Sequence, residues 1–277
     1  MLICLSILGG GRGNDLFQFM HADAFCRRNG VTFYSPTFTE KYCKDFPNLP
    51  KSPKTPYLVK KFLYNQYYRK VNPNCIIGFT DEKKIPKYRA QIKKDFLVNF
   101  CYGWFFNNDF YREEDIRHYQ KLFDPNVDKE TLKQKYLQLQ SNEKLIGIHI
   151  RRGDYINLKH LYINLSMEYY IYEINYILNI NPNIKNIIVF SDDINWCKNN
   201  LLTKFENVIF SENMDEYFDI ILMSKCKYNI IANSTFSWWG GYLNSNLDKV
   251  VISPKKWFTE KMGLNESDII PTSWIKI

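Results

Sequence analysis

Residues Ile146 to Tyr155 read IGIHIRRGDY. The first half, Ile146-Gly147-Ile148-His149-Ile150, alternates isoleucine over a few positions, the pattern of a buried strand. The second half changes character at once, to Arg151, Arg152, Gly153 and Asp154. Two guanidinium groups at the end of a buried strand are costly unless something anionic meets them. Arginine presents a planar fork of donors that matches phosphate oxygens. Strand ends followed by a glycine turn are where open α/β sheets bind ligands. One reading is therefore a phosphate or pyrophosphate site, with His149 as a second polar contact. The other is an ordinary strand exit whose arginines pair with nearby carboxylates.

Downstream the pattern is regular. A helix is predicted from Ser166 to about Asn179, stopped by Asn181-Pro182. Strands are predicted at Asn186 to Phe190, Val208 to Phe210, Tyr228 to Ile231 and Val250 to Ser253, with helices between them, one of them over Asp215 to Ser224. Strands alternating with helices imply a parallel, doubly wound sheet covered on both faces. A further helix is expected to begin within Asn233-Ser234-Thr235-Phe236-Ser237-Trp238-Trp239-Gly240-Gly241, with at least one tryptophan in the core.

Upstream, Met1 to Leu8 reads as a strand followed by Gly9, Gly10, Gly11, Arg12 and Gly13. Such glycine density lets the backbone approach a ligand closely, although a bare tight turn explains it as well. Asn14 is placed to cap a helix running to about Arg28, and Val31 to Tyr34 reads as the next strand. The run matches neither G-x-G-x-x-G nor a P-loop. Thr37 to Asn74 is broken by prolines, with a helix over Tyr57 to Lys70. Strands follow at Ile76 to Phe79 and Phe96 to Tyr102, then a helix from about Asn108 to Leu122. A polar helix over Asp128 to Gln140 marks the boundary between a first domain, residues 1–127, and a second, 128–277.

Composition narrows the function. The net charge is +8, but the lysines are scattered and no arginine-rich block or nucleic-acid motif occurs, so no nucleic-acid partner is expected. Seven cysteines without a C-x-x-C pair fit free thiols in a reducing cytosol. The four histidines lack metal-ligand spacing, and no metal site is expected. Met1 to Leu8 is too short to span a membrane and lacks a signal peptide's basic start. These features point to a cytoplasmic protein, with peripheral contact to an anionic inner membrane face left open.

Three polar clusters fall at the carboxyl ends of three predicted strands: His149/Arg151/Arg152, Ser191/Asp192/Asp193 and Ser234/Thr235/Ser237. In a parallel sheet those ends share an edge, so the clusters can converge on one ligand. The arginines suit a diphosphate, the Ser/Thr turn at a helix start suits phosphate oxygens, and a carboxylate suits a guanine edge. For Asp192 or Asp193 a helix cap is the competing reading. No D-x-D occurs, which fits charge stabilisation by arginine rather than by a metal.

GGGRGNDLFQF (Gly9 to Phe19), HIRRGDY (His149 to Tyr155), FSDDINWCKNNL (Phe190 to Leu201) and NSTFSWWGGYL (Asn233 to Leu243) together resemble the α-1,2-fucosyltransferases of glycosyltransferase family 11. The resemblance implies a GT-B-like architecture of two Rossmann-like domains facing a cleft. It implies GDP-β-L-fucose as donor, no cofactor or metal, inversion at the anomeric carbon, and an oligosaccharide or glycolipid acceptor bound on the first domain's side. It places Arg151 on the donor β-phosphate with Arg152 in support. It places His149 and one of Asp192/Asp193 on guanine and ribose, and Thr235, Phe236 and Ser237 on the phosphate side. Ser191, Ser234, Gly11, Gly13 and Asn14 complete the expected donor contacts. Asp154 and Asp15 are the candidates for the general base. The family's usual Gly-Leu-Gly-Asn-Gln is here Gly11-Arg12-Gly13-Asn14-Asp15, and a frequent glutamine is replaced by Phe106. These departures keep three alternatives open: another GDP-sugar, another linkage, or a dead GDP- or glycan-binding protein.

Overall fold

The computed structural model describes residues 3–6, 11–28, 30, 32–50, 77–81, 98–102, 113–124, 145–184, 186–212, 215–262 and 265–277. The helices expected over 57–70 and 128–140, and Phe106, lie outside the described residues. The chain divides into two compact units, residues 1–125 and 126–277.

The first unit carries a four-stranded parallel sheet, β1 (Ile3–Ser6), β2 (Thr32–Tyr34), β3 (Ile77–Asp81) and β4 (Val98–Tyr102), in the order β2-β1-β4-β3. Helix α1 (Arg12–Arg28) follows β1. It starts earlier than expected, so Asn14 is not its cap. The Gly11 carbonyl instead accepts from the backbone N–H groups of Asn14 and Asp15 at 3.0 and 3.1 Å. That puts the Asp15 carboxylate in the first turn, where the helix dipole favours it. Helix α2 (Pro36–Tyr42) lies inside the segment expected to be broken, because Pro36 sits at a helix start, where its missing N–H costs nothing. Helix α3 (Glu113–Leu122) holds the Arg27 guanidinium through Asp115 at 2.9 Å. Phe19, Phe38, Tyr42, Phe46 and Phe123 pack into one aromatic core.

The second unit is a six-stranded, all-parallel sheet in the order β10-β9-β8-β5-β6-β7. Its strands are β5 (Leu145–Ile150), β6 (Asn186–Ser191), β7 (Val208–Phe210), β8 (Tyr228–Ile230), β9 (Val250–Ser253) and β10 (Ile275–Lys276). Helices α4 (Met167–Ile180), α5 (Ile194–Leu201), α6 (Glu216–Lys225) and α7 (Thr235–Tyr242) alternate with them. The period of two along β5 divides its side chains between two cores. Ile146, Ile148 and Ile150 pack with Tyr170, Ile174 and Ile177 of α4. On the opposite face a methyl at Gly147 would stand 2.9 Å from the Cys226 sulfur, and the His149 ring packs on Phe236. Trp238 and Trp239 are both fully buried. The Trp238 indole N–H donates to the Ile269 carbonyl at 2.7 Å.

The chain lays β5, β6 and β7 in one direction and β8, β9 and β10 in the other. Neighbours β5 and β8 therefore form a topological switch point, the place in an open α/β sheet where ligands bind.

Candidate functional site

All three clusters expected from the sequence leave adjacent strands, β8, β5 and β6, at their carboxyl ends. Gly153 makes the turn after β5. A Cβ there would collide with the Asp192 carboxylate, so glycine lets the Arg151–Asp154 turn close over β6 without displacing Asp192.

The arginines and aspartates at this edge are held by one another. The Arg152 backbone N–H donates to Asp192 Oδ1 at 2.8 Å. The Arg152 guanidinium lies 3.6 Å from the Trp196 ring centre, and its Nε meets Asp193 Oδ2 at 3.2 Å. Asp193 Oδ1 accepts from the Trp196 N–H at 3.2 Å and caps α5. Ser191 Oγ accepts from the Asp193 N–H at 3.0 Å. Both aspartates thus serve the arginines, and Asp193 also caps α5, as the competing reading from the sequence has it.

Arg151 is the most committed group. Its Nε and Nη2 donate to Asp154 Oδ1 at 3.0 and 2.6 Å, and Nη1 meets Asp192 Oδ2 at 3.2 Å. Burial alone would lower its pKa, but the charges of Asp192 and Asp154 outweigh that and raise it. Arg151 is a fixed cation.

His149 is buried, and among the described residues its Nδ1 has no hydrogen-bond partner. Burial and the Arg151 charge push its pKa down to about 3, so the ring is neutral at ordinary pH. Phe236 covers one side of it, with ring centres 4.8 Å apart, at the first turn of α7. Thr235 and Phe236 are partly exposed there, while Ser234 is buried. Ser237 departs from expectation: its hydroxyl is fully buried and donates back to the Ala232 and Ser234 carbonyls, each at 3.2 Å. It shapes the turn at the start of α7.

Tyr155, Trp196 and Asn233 complete the site, and the sequence reading assigned none of them a role. Arg151 lies 5.5 Å from the Tyr155 ring centre. The Tyr155 hydroxyl donates to the Asn233 carbonyl at 2.9 Å, tying the arginine turn to the start of α7. The Asn233 side chain donates to the Ile163 and Trp257 carbonyls at 3.0 Å each. The available signal was spacing: Tyr155 follows Arg151 by four residues, and Trp196 follows the capping Asp193 by three.

Gly11, Gly13, Asn14 and Asp15 belong to the first unit. Asp15 is buried, and its Oδ2 accepts from Lys41 Nζ at 2.6 Å and from the Tyr42 hydroxyl at 2.7 Å. Arg12 pairs with Asp45. Both departures from the family's first loop are therefore bound to α2 and the residues just after it. Among the described residues, no group of three or more His, Cys, Asp or Glu side chains is placed to hold a metal ion. No described helix is long and apolar enough to cross a membrane.

Parallel sheets in two units, with arginines and a helix start at the switch point of the second, define an α/β protein of the GT-B-like glycosyltransferase class. Its fold is similar to that of POFUT1 solved in complex with GDP-fucose, at a TM-score of 0.54 and 12% identity over 91% of this chain and 97% of that one. The chain belongs to glycosyl transferase family 11, whose model matches residues 82–277. It is 30% identical to an alpha-1,2-colitosyltransferase of Escherichia coli, over 100% of this chain and 99% of that protein. It is 35% identical to the O-antigen biosynthesis glycosyltransferase WbnK of Escherichia coli over 78% of this chain, and that match spans 65% of WbnK's length.

Proposed function

We propose that the chain transfers L-fucose from GDP-β-L-fucose to a galactose-like hydroxyl of a glycan, forming an α-1,2 linkage with inversion and without a metal. The observation that carries this is Arg151, a fixed cation at the switch point, beside the Tyr155 ring, whose hydroxyl bonds the Asn233 carbonyl just before α7. The motif set shared with α-1,2-fucosyltransferases supports the donor. WbnK's role in O-antigen biosynthesis supports a bacterial surface glycan, built from the cytoplasmic side, as acceptor. The chain's +8 charge suits approach to an anionic membrane face.

In this reading the acceptor oxygen attacks the anomeric carbon as the bond to the β-phosphate oxygen breaks on the opposite face. Negative charge gathers on the departing GDP. Arg151 and the positive end of the α7 dipole stabilise that charge, and they are in place before it develops. Arg152, stacked on Trp196, adds a second positive charge behind Arg151. Neutral His149 offers a hydrogen bond without a charge that would need solvation. Asp15 and Asp154 are both engaged with cations, and the proposal assigns neither as the base.

A second reading, transfer of colitose from its GDP-linked form, is favoured by the full-length match to the colitosyltransferase. Calorimetric titration with GDP, UDP, GDP-fucose and GDP-colitose, followed by turnover on lactose with and without EDTA, tests both readings. Selective binding of GDP and turnover of GDP-fucose that EDTA leaves unchanged supports the first. Turnover of GDP-colitose alone selects the second. Tighter binding of UDP than of GDP overturns both.

A further inference from the structure

The anion-facing edge of Arg151 is already occupied. A phosphate would take the Nε/Nη2 edge with two parallel hydrogen bonds. That edge is held by Asp154 Oδ1 at 3.0 and 2.6 Å. The cluster as built holds Arg151 and Arg152 against Asp154, Asp192 and Asp193, an excess of one carboxylate where a diphosphate is to bind.

The three carboxylates are not equally fixed. Asp192 is pinned by the Arg152 backbone N–H and wedged against Gly153. Asp193 caps α5. The Asp154 side chain is 51% exposed against 25% for Asp192, and its one described hydrogen-bond partner is Arg151. Its carboxylate takes no part in the short 3-10 turn it begins, which is held by its backbone carbonyl accepting from Asn157 and Leu158 at 3.1 Å each. An exposed ion pair of this kind is weak and easily exchanged.

We infer that Asp154 is a placeholder for the donor's phosphate: it occupies the Nε/Nη2 edge of Arg151, is expelled when a nucleoside diphosphate binds, and returns to speed product release. This rests on the proposed donor reading. The placeholder keeps the guanidinium oriented between turnovers, and in exchange it competes with GDP for the same two donors.

The test is GDP affinity by calorimetry for the wild type, Asp154→Asn and Asp154→Ser, with product-inhibition constants measured on the same proteins. Thermal melts establish that each variant is folded. Removing the competing charge is expected to tighten GDP binding by about three- to tenfold and to lower the GDP inhibition constant by the same factor. The serine variant, which cannot bridge Nε and Nη2 with a charged oxygen, should behave alike. GDP binding unchanged or weaker in both folded variants overturns the inference, because Asp154 would then be a strut or a base. Failure of the wild type to bind GDP overturns the donor reading itself and the placeholder with it.

Discussion

Gly153 and Arg151 carry the sharpest single-residue consequences. Gly153→Ala drives a methyl into Asp192 Oδ2 and forces the arginine turn off β6. The expected cost is about 1–3 kcal/mol of stability. GDP affinity should fall with it, because Asp192 is also an Arg151 partner. Denaturant unfolding and calorimetry check the two effects separately. Arg151→Ala should keep its fold and lose about 10²–10³ in turnover, the usual effect of deleting one donor to a developing charge. Arg151 was legible in the sequence because a charged pair at the end of an isoleucine run has few explanations. Which carboxylates face it was not legible. Asp192 lies forty-one positions away, and only the β5–β6 register brings Ser191 level with Ile150.

Helices α4 and α5 make predictions of their own. On α4, Glu173 is buried, both its carboxylate oxygens lack a hydrogen-bond partner among the described residues, and burial raises its pKa to about 7. The folded chain therefore holds this proton more tightly than the unfolded chain. Its contribution to stability is full below the ordinary glutamate range and is lost as pH rises toward about 7, then levels off. Glu173→Gln should match the wild type near pH 4, below the ordinary glutamate value, and be the more stable protein near pH 8, as read from melting temperatures at each pH. On α5, Asp193→Ala removes the cap and Arg152's partner together, and should cost about 1 kcal/mol in chemical denaturation. Elements of the second unit were legible to within a residue or two, because β-branched runs bounded by Asn, Pro and Asp leave little choice. Helix α2 was missed because the prolines after it outweighed Pro36 at its start. Strand β10 was missed because two residues, Ile275–Lys276, carry no period.

For the molecule as a whole, function follows from strand order. Laying β8 beside β5 puts a helix start next to an arginine strand end, and the Tyr155–Asn233 bond fixes their spacing. The sequence foretold that three polar clusters would share an edge. Their division of labour needed side-chain geometry: Asp192 and Asp193 hold the arginines, and the Ser237 hydroxyl turns inward. The first unit was less legible, since Arg12 and Asp15 pair with Asp45 and Lys41 across a gap that no motif spans. The decisive measurement is analysis by mass spectrometry and proton NMR of lactose incubated with GDP-β-L-fucose and the wild-type chain, beside Arg151→Ala. The expected result is an α-1,2-linked fucosyl product with stoichiometric GDP, formed by the wild type and lost in the variant. Fucosylation that persists undiminished in a folded Arg151→Ala protein would contradict the role given to the arginine edge.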